Sequence, residues 1–208
     1  MYVLGVINMT DIKNKILENK EEKERKLLDA GYTLFTEKGF KNTSIQEIVD
    51  KAGVAKGTFY LYFKDKYDIE NRLIIDTSKE LFEDAIRHVN DKNLDNFEDR
   101  LIAIVDYIID YLKDNSDVLK IVSKSLSLGV FSDKISNIID DKPIGILDTF
   151  MKGIGESNLK LKNPEITLFM IIELTSSVVF SSITMNVPLP IDEIKPYLYE
   201  DIRKILKD

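Results

Sequence analysis

The chain has no cysteine and one histidine, His88, among its 208 residues. The first absence excludes disulfides and thiolate metal sites, and the second excludes a histidine cluster for a metal. The absence of cysteine fits a reducing cytoplasm, and no metal or cofactor is expected. Runs of alternating polar and apolar residues are also missing, which argues against a half-buried sheet. Phosphate-binding signatures are poor. "AKGT" at 55–58 reverses the lysine and glycine of a P-loop, and "GIGESN" at 153–158 lacks the third glycine and the preceding strand of a dinucleotide site. Many carboxylates are present, but on amphipathic helices such groups are ordinarily solvated. The expectation is that the chain is not an enzyme.

Positive charge is in deficit too. The formal net charge is −7, which on average disfavours nucleic acid, although binding needs only a local patch. The excess acid lies beyond residue 70. Between residues 38 and 66 six lysines (38, 41, 51, 56, 64 and 66) face only Glu47, Asp50 and Asp65. One stretch of an acidic chain is therefore locally basic.

What remains is helical pattern almost throughout, so an all-α fold is predicted. "MYVLGVINMT" at the start is too short to span a membrane, and residues 1–19 are read as an extension. From about Glu21 to Lys38, apolar residues Leu27, Leu28, Tyr32, Leu34 and Phe35 recur at helical spacing, and Gly39 follows as a cap. "TSIQEIVDKAG" begins the next helix with two overlapping capping boxes, Thr43 with Gln46 and Ser44 with Glu47. It ends at Gly53 after barely two turns. A second short helix is predicted over 54–63, "VAKGTFYLYF". Asp65 is an N-cap for a long helix reaching about Asn90. Further helices are predicted at roughly 94–114, 116–128, 132–139, from Pro143 to about Ser157, 164–186 and 192–207. Asn163, Pro164 and Glu165 mark the start of the helix at 164–186, and Pro196 is placed in the first turn of the last.

The segment 54–63 poses a question. A helix that accepts Gly57 gives up roughly 1 kcal/mol relative to alanine, and this one also presents tyrosines beside the glycine. Two short helices joined by a turn at Gly53 form a helix-turn-helix. Burial of Val54, Phe59 and Phe63 would leave Lys56, Gly57, Thr58, Tyr60 and Tyr62 outward, a face suited to the major groove. Glycine then lets a foreign backbone come close. Lysine neutralises a phosphate, threonine can reach a base edge, and tyrosine hydroxyls can bond phosphate oxygens. Thr43 and Lys66, at helix N-termini, sit where anions are favoured.

The run "TSIQEIVDKAGVAKGTFYLYFKDKYDI" resembles the DNA-binding segment of the tetracycline-repressor (TetR) family of bacterial transcription regulators. The strong similarity covers about residues 22–75. It implies DNA contacts at Thr43, Lys56, Gly57, Thr58, Tyr60, Tyr62 and Lys66. Tyr62 stands where many members carry histidine, and Leu61 replaces an aromatic found in some. The resemblance further implies a two-domain, homodimeric regulator, a repressor more readily than an activator. Residues 20–65 would be the DNA-binding domain and 66–208 would bind an effector and dimerise.

Two more site expectations follow. The helix at 164–186 carries one charge, Glu173, and is long enough to cross a bilayer. It lacks basic or aromatic belts, and a helix apolar all round is buried on every side. A second copy would cover its outer face, with Glu173, Ser177, Phe180, Ser181, Tyr197, Leu198 and Ile202 at the dimer interface. The large apolar residues Phe97, Tyr107, Tyr111, Phe131, Phe150, Met151, Phe169 and Met170 are candidates to line a pocket for a small apolar effector. The expected partners are thus an operator duplex, a second copy and that effector, with no membrane. Two alternatives stand beside this reading: a helix-turn-helix regulator controlled by a protein partner without a small ligand, and a membrane-associated helical protein anchored by 164–186.

Overall fold

In the computed structural model, residues 9–90, 92, 94–123, 125–135 and 146–207 are described. Among them there are ten helices and no strand. The chain divides into two compact units, Met1–Leu73 and Ile74–Asp208.

The first unit contains α1 (Met9–Lys38), α2 (Ile45–Ala52), α3 (Lys56–Phe59) and the opening turns of α4 (Lys66–Asn90). Helix α1 begins at Met9 and not near Glu21. In its first turns Asn14, Lys15 and Leu17–Lys20 are exposed. Helix α2 packs against both α1 and α3. Leu27, Ile48, Phe59 and Ile69 are wholly buried, each contributing about 1.5–3 kcal/mol by leaving water. Gly31 is buried beside α4, where an added Cβ would lie 3.1 Å from Ile69 Cδ1.

Caps set the boundaries of α2. Ser44, and not Thr43, is its N-cap: the Ser44 hydroxyl accepts from the Glu47 amide, and the Glu47 carboxylate accepts from the Ser44 amide. Gly53 closes the helix at φ 67°, a left-handed conformation that only glycine adopts cheaply. Asp65 caps α4 as predicted, its carboxylate accepting from the amides of Tyr67 and Asp68 at 2.8 and 3.0 Å.

The second unit holds the rest of α4 with α5 (Phe97–Asp114), α6 (Ser116–Val122), α7 (Leu128–Ile135), α8 (Ile146–Glu156), α9 (Pro164–Met185) and α10 (Ile191–Ile205). Helix α9 is its centre and packs on α5, α8 and α10. Its buried residues, Leu168, Ile171, Ile172, Thr175, Val179 and Ser182, repeat every three or four positions and make one stripe. Asn163 caps it, accepting from the Ile166 amide at 3.2 Å. Between α5 and α10, Lys195 lies against Asp106 (2.8 Å) and Asp110, and the Tyr199 hydroxyl bonds Asp106. Burial pushes the Tyr199 phenol well up, aided by the Asp106 carboxylate. Burial would also raise the Asp106 carboxyl, but hydrogen bonds from Lys195 and Tyr199 outweigh it and hold the group below its ordinary value.

Two boundaries differ from expectation, and a third falls outside the described residues. The helix expected over 116–128 ends at Val122, and Gly129 lies in the first turn of α7, where a Cβ would fall 2.4 Å from Ser78 Cβ. Close packing, and not a cap, explains that glycine. Pro196 sits in the second turn of α10, so its missing amide removes one internal hydrogen bond. The helix expected from Pro143 is described from Ile146, because residues 136–145 lie outside the described residues.

Candidate nucleic-acid interface

Helix α3 is four residues long, shorter than the predicted 54–63. Ala55 precedes it without a side-chain cap. The chain then tightens, with Leu61 N bonding Thr58 O at 3.1 Å, Tyr62 N bonding Phe59 O at 3.0 Å and Phe63 N also bonding Phe59 O at 2.9 Å. Glycine and aromatic residues propagate a helix weakly. What holds the segment is the inward pair Phe59 and Phe63, whose ring centroids lie 5.6 Å apart.

With those two phenylalanines inside, the opposite side is presented outward. Lys56 and Gly57 are exposed, Thr58 and Tyr62 are half-buried and Tyr60 is 53% exposed. Leu61, at 78%, is the most exposed large apolar residue described. Gly57 has no internal reason to be glycine. A Cβ placed on it meets nothing within 4 Å, and its φ lies outside the left-handed region. The fold would accept alanine there.

Charge on this unit is sorted in the same sense. The carboxylates of 38–68 are engaged locally: Glu47 by Lys38 and Ser44, Asp50 by Gln46, Asp65 by its capped amides and Asp68 by the Lys64 amide. Lys38 and the Ser44 donors depress the Glu47 carboxyl to about 2. Among the described residues, no ion pair engages Lys41, Lys51, Lys56 or Lys64, and all four are exposed. Lys41, Lys51 and Lys64 were not among the expected contacts, though the local lysine excess pointed to them.

Two of the expected contact residues are turned inward. Thr43 is buried, its hydroxyl 3.0 Å from the Gly39 carbonyl and 3.3 Å from that of Leu34. The Lys66 ammonium donates to the carbonyls of Phe40 and Thr43, both at 2.7 Å, and lies 4.2 Å from the centre of the Phe40 ring. Both residues tie the α1–α2 loop to the start of α4. Two of the three donors that an ammonium carries are thereby committed.

In the second unit a cavity of about 320 Å³ opens among α4, α5, α8 and α9. Its wall is mainly aliphatic, with Leu101, Ile104, Ile108, Leu168 and Ile171. Of the eight expected pocket residues, Phe97 and Phe150 line it, with their rings 5.3 Å apart. Phe97 lies so close to Gly153 that a Cβ there would come within 2.3 Å of the ring. The other six are placed elsewhere. Tyr107 donates to Asp84 at 2.9 Å and stacks with Tyr111. Phe131 packs edge-on against Phe169, and Met151 and Met170 are exposed.

The outer side of α9 is uncovered. Ile166, Phe169, Met170 and Phe180 are exposed, as are Glu173 and Ser177 on the same stripe. Ser181 is at its edge and Tyr197 of α10 is exposed. Leu198 (4% exposed) and Ile202 (0%), expected at the interface, turn instead into the chain's own core. They lie on the α10 face that packs on α9 and α5.

Residues 27–73 match the family model described as "Bacterial regulatory proteins, tetR family". The chain is 30% identical over 102 residues to the uncharacterised HTH-type transcriptional regulator YdgC of Bacillus subtilis, a match covering 48% of this chain and about half (52%) of that protein. It is 23% identical over 172 residues to YhgD of the same organism, covering 81% of this chain and 88% of the relative. The fold is similar to that of a TetR-family transcriptional regulator from Syntrophomonas wolfei, with a TM-score of 0.63 at 20% identity, covering 89% and 95% of the two chains. The matched segment is the one whose second helix presents a lysine, a packing-free glycine and a tyrosine to solvent, and over residues 27–73 the chain is similar to the tetR family of bacterial regulatory proteins.

Proposed function

We propose that the chain is a cytoplasmic, ligand-released repressor that acts as a homodimer on a symmetric operator. Gly57 carries the DNA part of this reading. A helical glycine that is neither packed nor in a left-handed conformation costs stability without internal return, and close approach of a DNA backbone accounts for it. Lys56 and Tyr60 supply phosphate contacts beside it, Thr58 reaches a base edge, and Tyr62 contributes from its half-buried position.

A second copy accounts for the uncovered stripe of α9. Helix Pro164–Met185 is also long and apolar enough to cross a bilayer, but its exposed side mixes Glu173, Ser177 and Thr184 with Phe169, Met170 and Phe180. Such a mixture suits a packed helix pair better than lipid. Release of DNA by a ligand has support in the cavity, since Phe82 and Ile86 in its wall belong to α4, the helix whose first turns complete the DNA-binding unit. Operator and ligand would then weaken one another's binding by the same factor.

Selection from a random-sequence DNA pool tests the proposal. Enrichment of a site with two-fold symmetry and half-sites about one helical turn or a multiple apart is expected. Enrichment of no symmetric site contradicts it. Recovery of the chain only with detergent would instead favour the membrane reading.

A further inference from the structure

The aliphatic cavity of about 320 Å³ adjoins a groove of about 360 Å³, and Phe97, Arg100, Gly153 and Glu156 line both. These four residues mark the cavity's mouth. Phe97 can stand there because Gly153 has no side chain to meet its ring. Arg100 is exposed beside it. Its Nη2 donates to Oδ1 of Asn90 at 3.0 Å, and Asn90 also lines the cavity. That bond holds the guanidinium at the mouth and uses one of its five donors. The second unit has two other arginines. Arg87 pairs with Asp84 at 2.8 Å and Arg203 with Asp99 at 2.6 Å, whereas Arg100 has no carboxylate partner among the described residues. The remaining charges of the cavity lining, Lys152 and Glu156, lie 3.9 Å from one another. The groove outside is acidic, with Asp95 and with Glu98, which Arg203 engages at 3.5 Å. The cavity itself ends on a cation.

An apolar chamber with an unpaired guanidinium at its mouth is complementary to an anionic amphiphile. We infer that the effector is a monocarboxylic acid with an apolar body, the body in the aliphatic cavity and the carboxylate on Arg100. This rests on the effector reading of the same cavity. The planar fork of a guanidinium matches a carboxylate. Because Arg100 is exposed, the carboxylate stays close to water and escapes the cost of burying a charge. Size follows from volume. A cavity of about 150 Å³ holds one benzene, a body of six carbons. One of about 320 Å³ holds twice as much, on the order of ten to twelve carbons.

The test is calorimetric titration of the full chain with decanoate, 1-decanol and decyltrimethylammonium, which share one chain and differ in the charge of the head. The variants are Arg100→Gln, which removes the charge, and Arg100→Lys, which keeps it. Decanoate is expected to bind the wild type most tightly. Arg100→Gln is expected to weaken decanoate roughly 5- to 10-fold, between an exposed ion pair and a charge-assisted hydrogen bond, and to leave 1-decanol within about 2-fold. Unchanged binding of 1-decanol also shows that the cavity is still folded in the variant. Arg100→Lys is expected to retain most of the preference for decanoate. If Arg100→Gln changes decanoate and 1-decanol alike, the carboxylate anchor is wrong while the effector cavity stands. If decyltrimethylammonium binds most tightly, the acidic groove sets the head group and the inference falls. If none of the three binds the wild type, the inference and the effector reading fall together.

Discussion

Replacing Gly57 by alanine should make the protein more stable and worse at binding DNA. The magnitude of the first effect follows from the structure. A Cβ at this position touches nothing within 4 Å and needs no strained φ, so only helix propensity and unfolded-chain entropy change. A full helix interior would return about 0.8–1 kcal/mol. Because α3 is only four residues long, about half of that is expected, roughly 0.5 kcal/mol. For a chain of this size that is a rise of about 1–2 °C in Tm. The added methyl would stand where the DNA backbone approaches. Overpacking of a close interface costs about 1–3 kcal/mol, which is roughly 5- to 150-fold in affinity. Differential scanning fluorimetry and fluorescence anisotropy with the selected site read the two effects separately. A fall in Tm would mean that the fold itself needs the glycine. Unchanged affinity would mean that no DNA backbone comes near it. Either result refutes the reasoning.

Lys56→Ala should leave stability within about 0.5 kcal/mol and reduce the salt slope of DNA binding by about 0.9. Lys66→Met should do the reverse, destabilising the first unit by about 2–4 kcal/mol through two lost charge-assisted hydrogen bonds, with the slope unchanged; denaturant titration and salt titration distinguish the pair. Glu47 has an ordinary carboxyl value of 4.5 that folding depresses to about 2. Its contribution is therefore complete above about 4.5 and lost as pH falls towards 2, so Glu47→Gln should lower stability at neutral pH and flatten the acid limb of the stability profile across that window. Ser177→Arg would place an unpaired charge in the proposed dimer interface at a cost of about 3–5 kcal/mol, giving monomers or aggregates in sedimentation and no operator binding. Gly153→Ala forces the Phe97 ring to move and should cost about 1–3 kcal/mol, seen as a lower Tm, and reshape the cavity mouth.

Local signals in the sequence were legible where the physics is local. Ser44 with Glu47, Asp65, and Asn163 with Pro164 are caps whose partners lie within three residues, and the corresponding helices start where the caps put them. The second motif helix was overextended because burial of both Phe59 and Phe63 looks helical in spacing, while the backbone satisfies it with a tight turn after four helical residues. Lys66 and Thr43 could not be placed from the chain alone. The lysine reaches carbonyls 26 and 23 residues away, and nothing in a lysine's neighbours announces that its charge will be spent internally. The cavity was half legible. Phe97 and Phe150 were found by their size, but Tyr107 has Asp84 as a partner and Phe131 has Phe169, and pairing of that kind is a property of the tertiary structure. The outer stripe of α9 was visible as apolar excess, whereas the inward turn of Leu198 and Ile202 depended on the rotation of α10 against its neighbours.

The central claim is that the face made by Lys56, Gly57, Thr58 and Tyr60 reads DNA as a two-fold pair. Repeating the random-sequence selection with Thr58→Ala tests it most directly, because threonine is the residue of that face placed to touch a base. The account predicts that the selected site keeps its symmetry and spacing but loses preference at one base position in each half-site, at about 1–3 kcal/mol per position. A selected sequence identical to that of the wild type, at the same affinity, would contradict it.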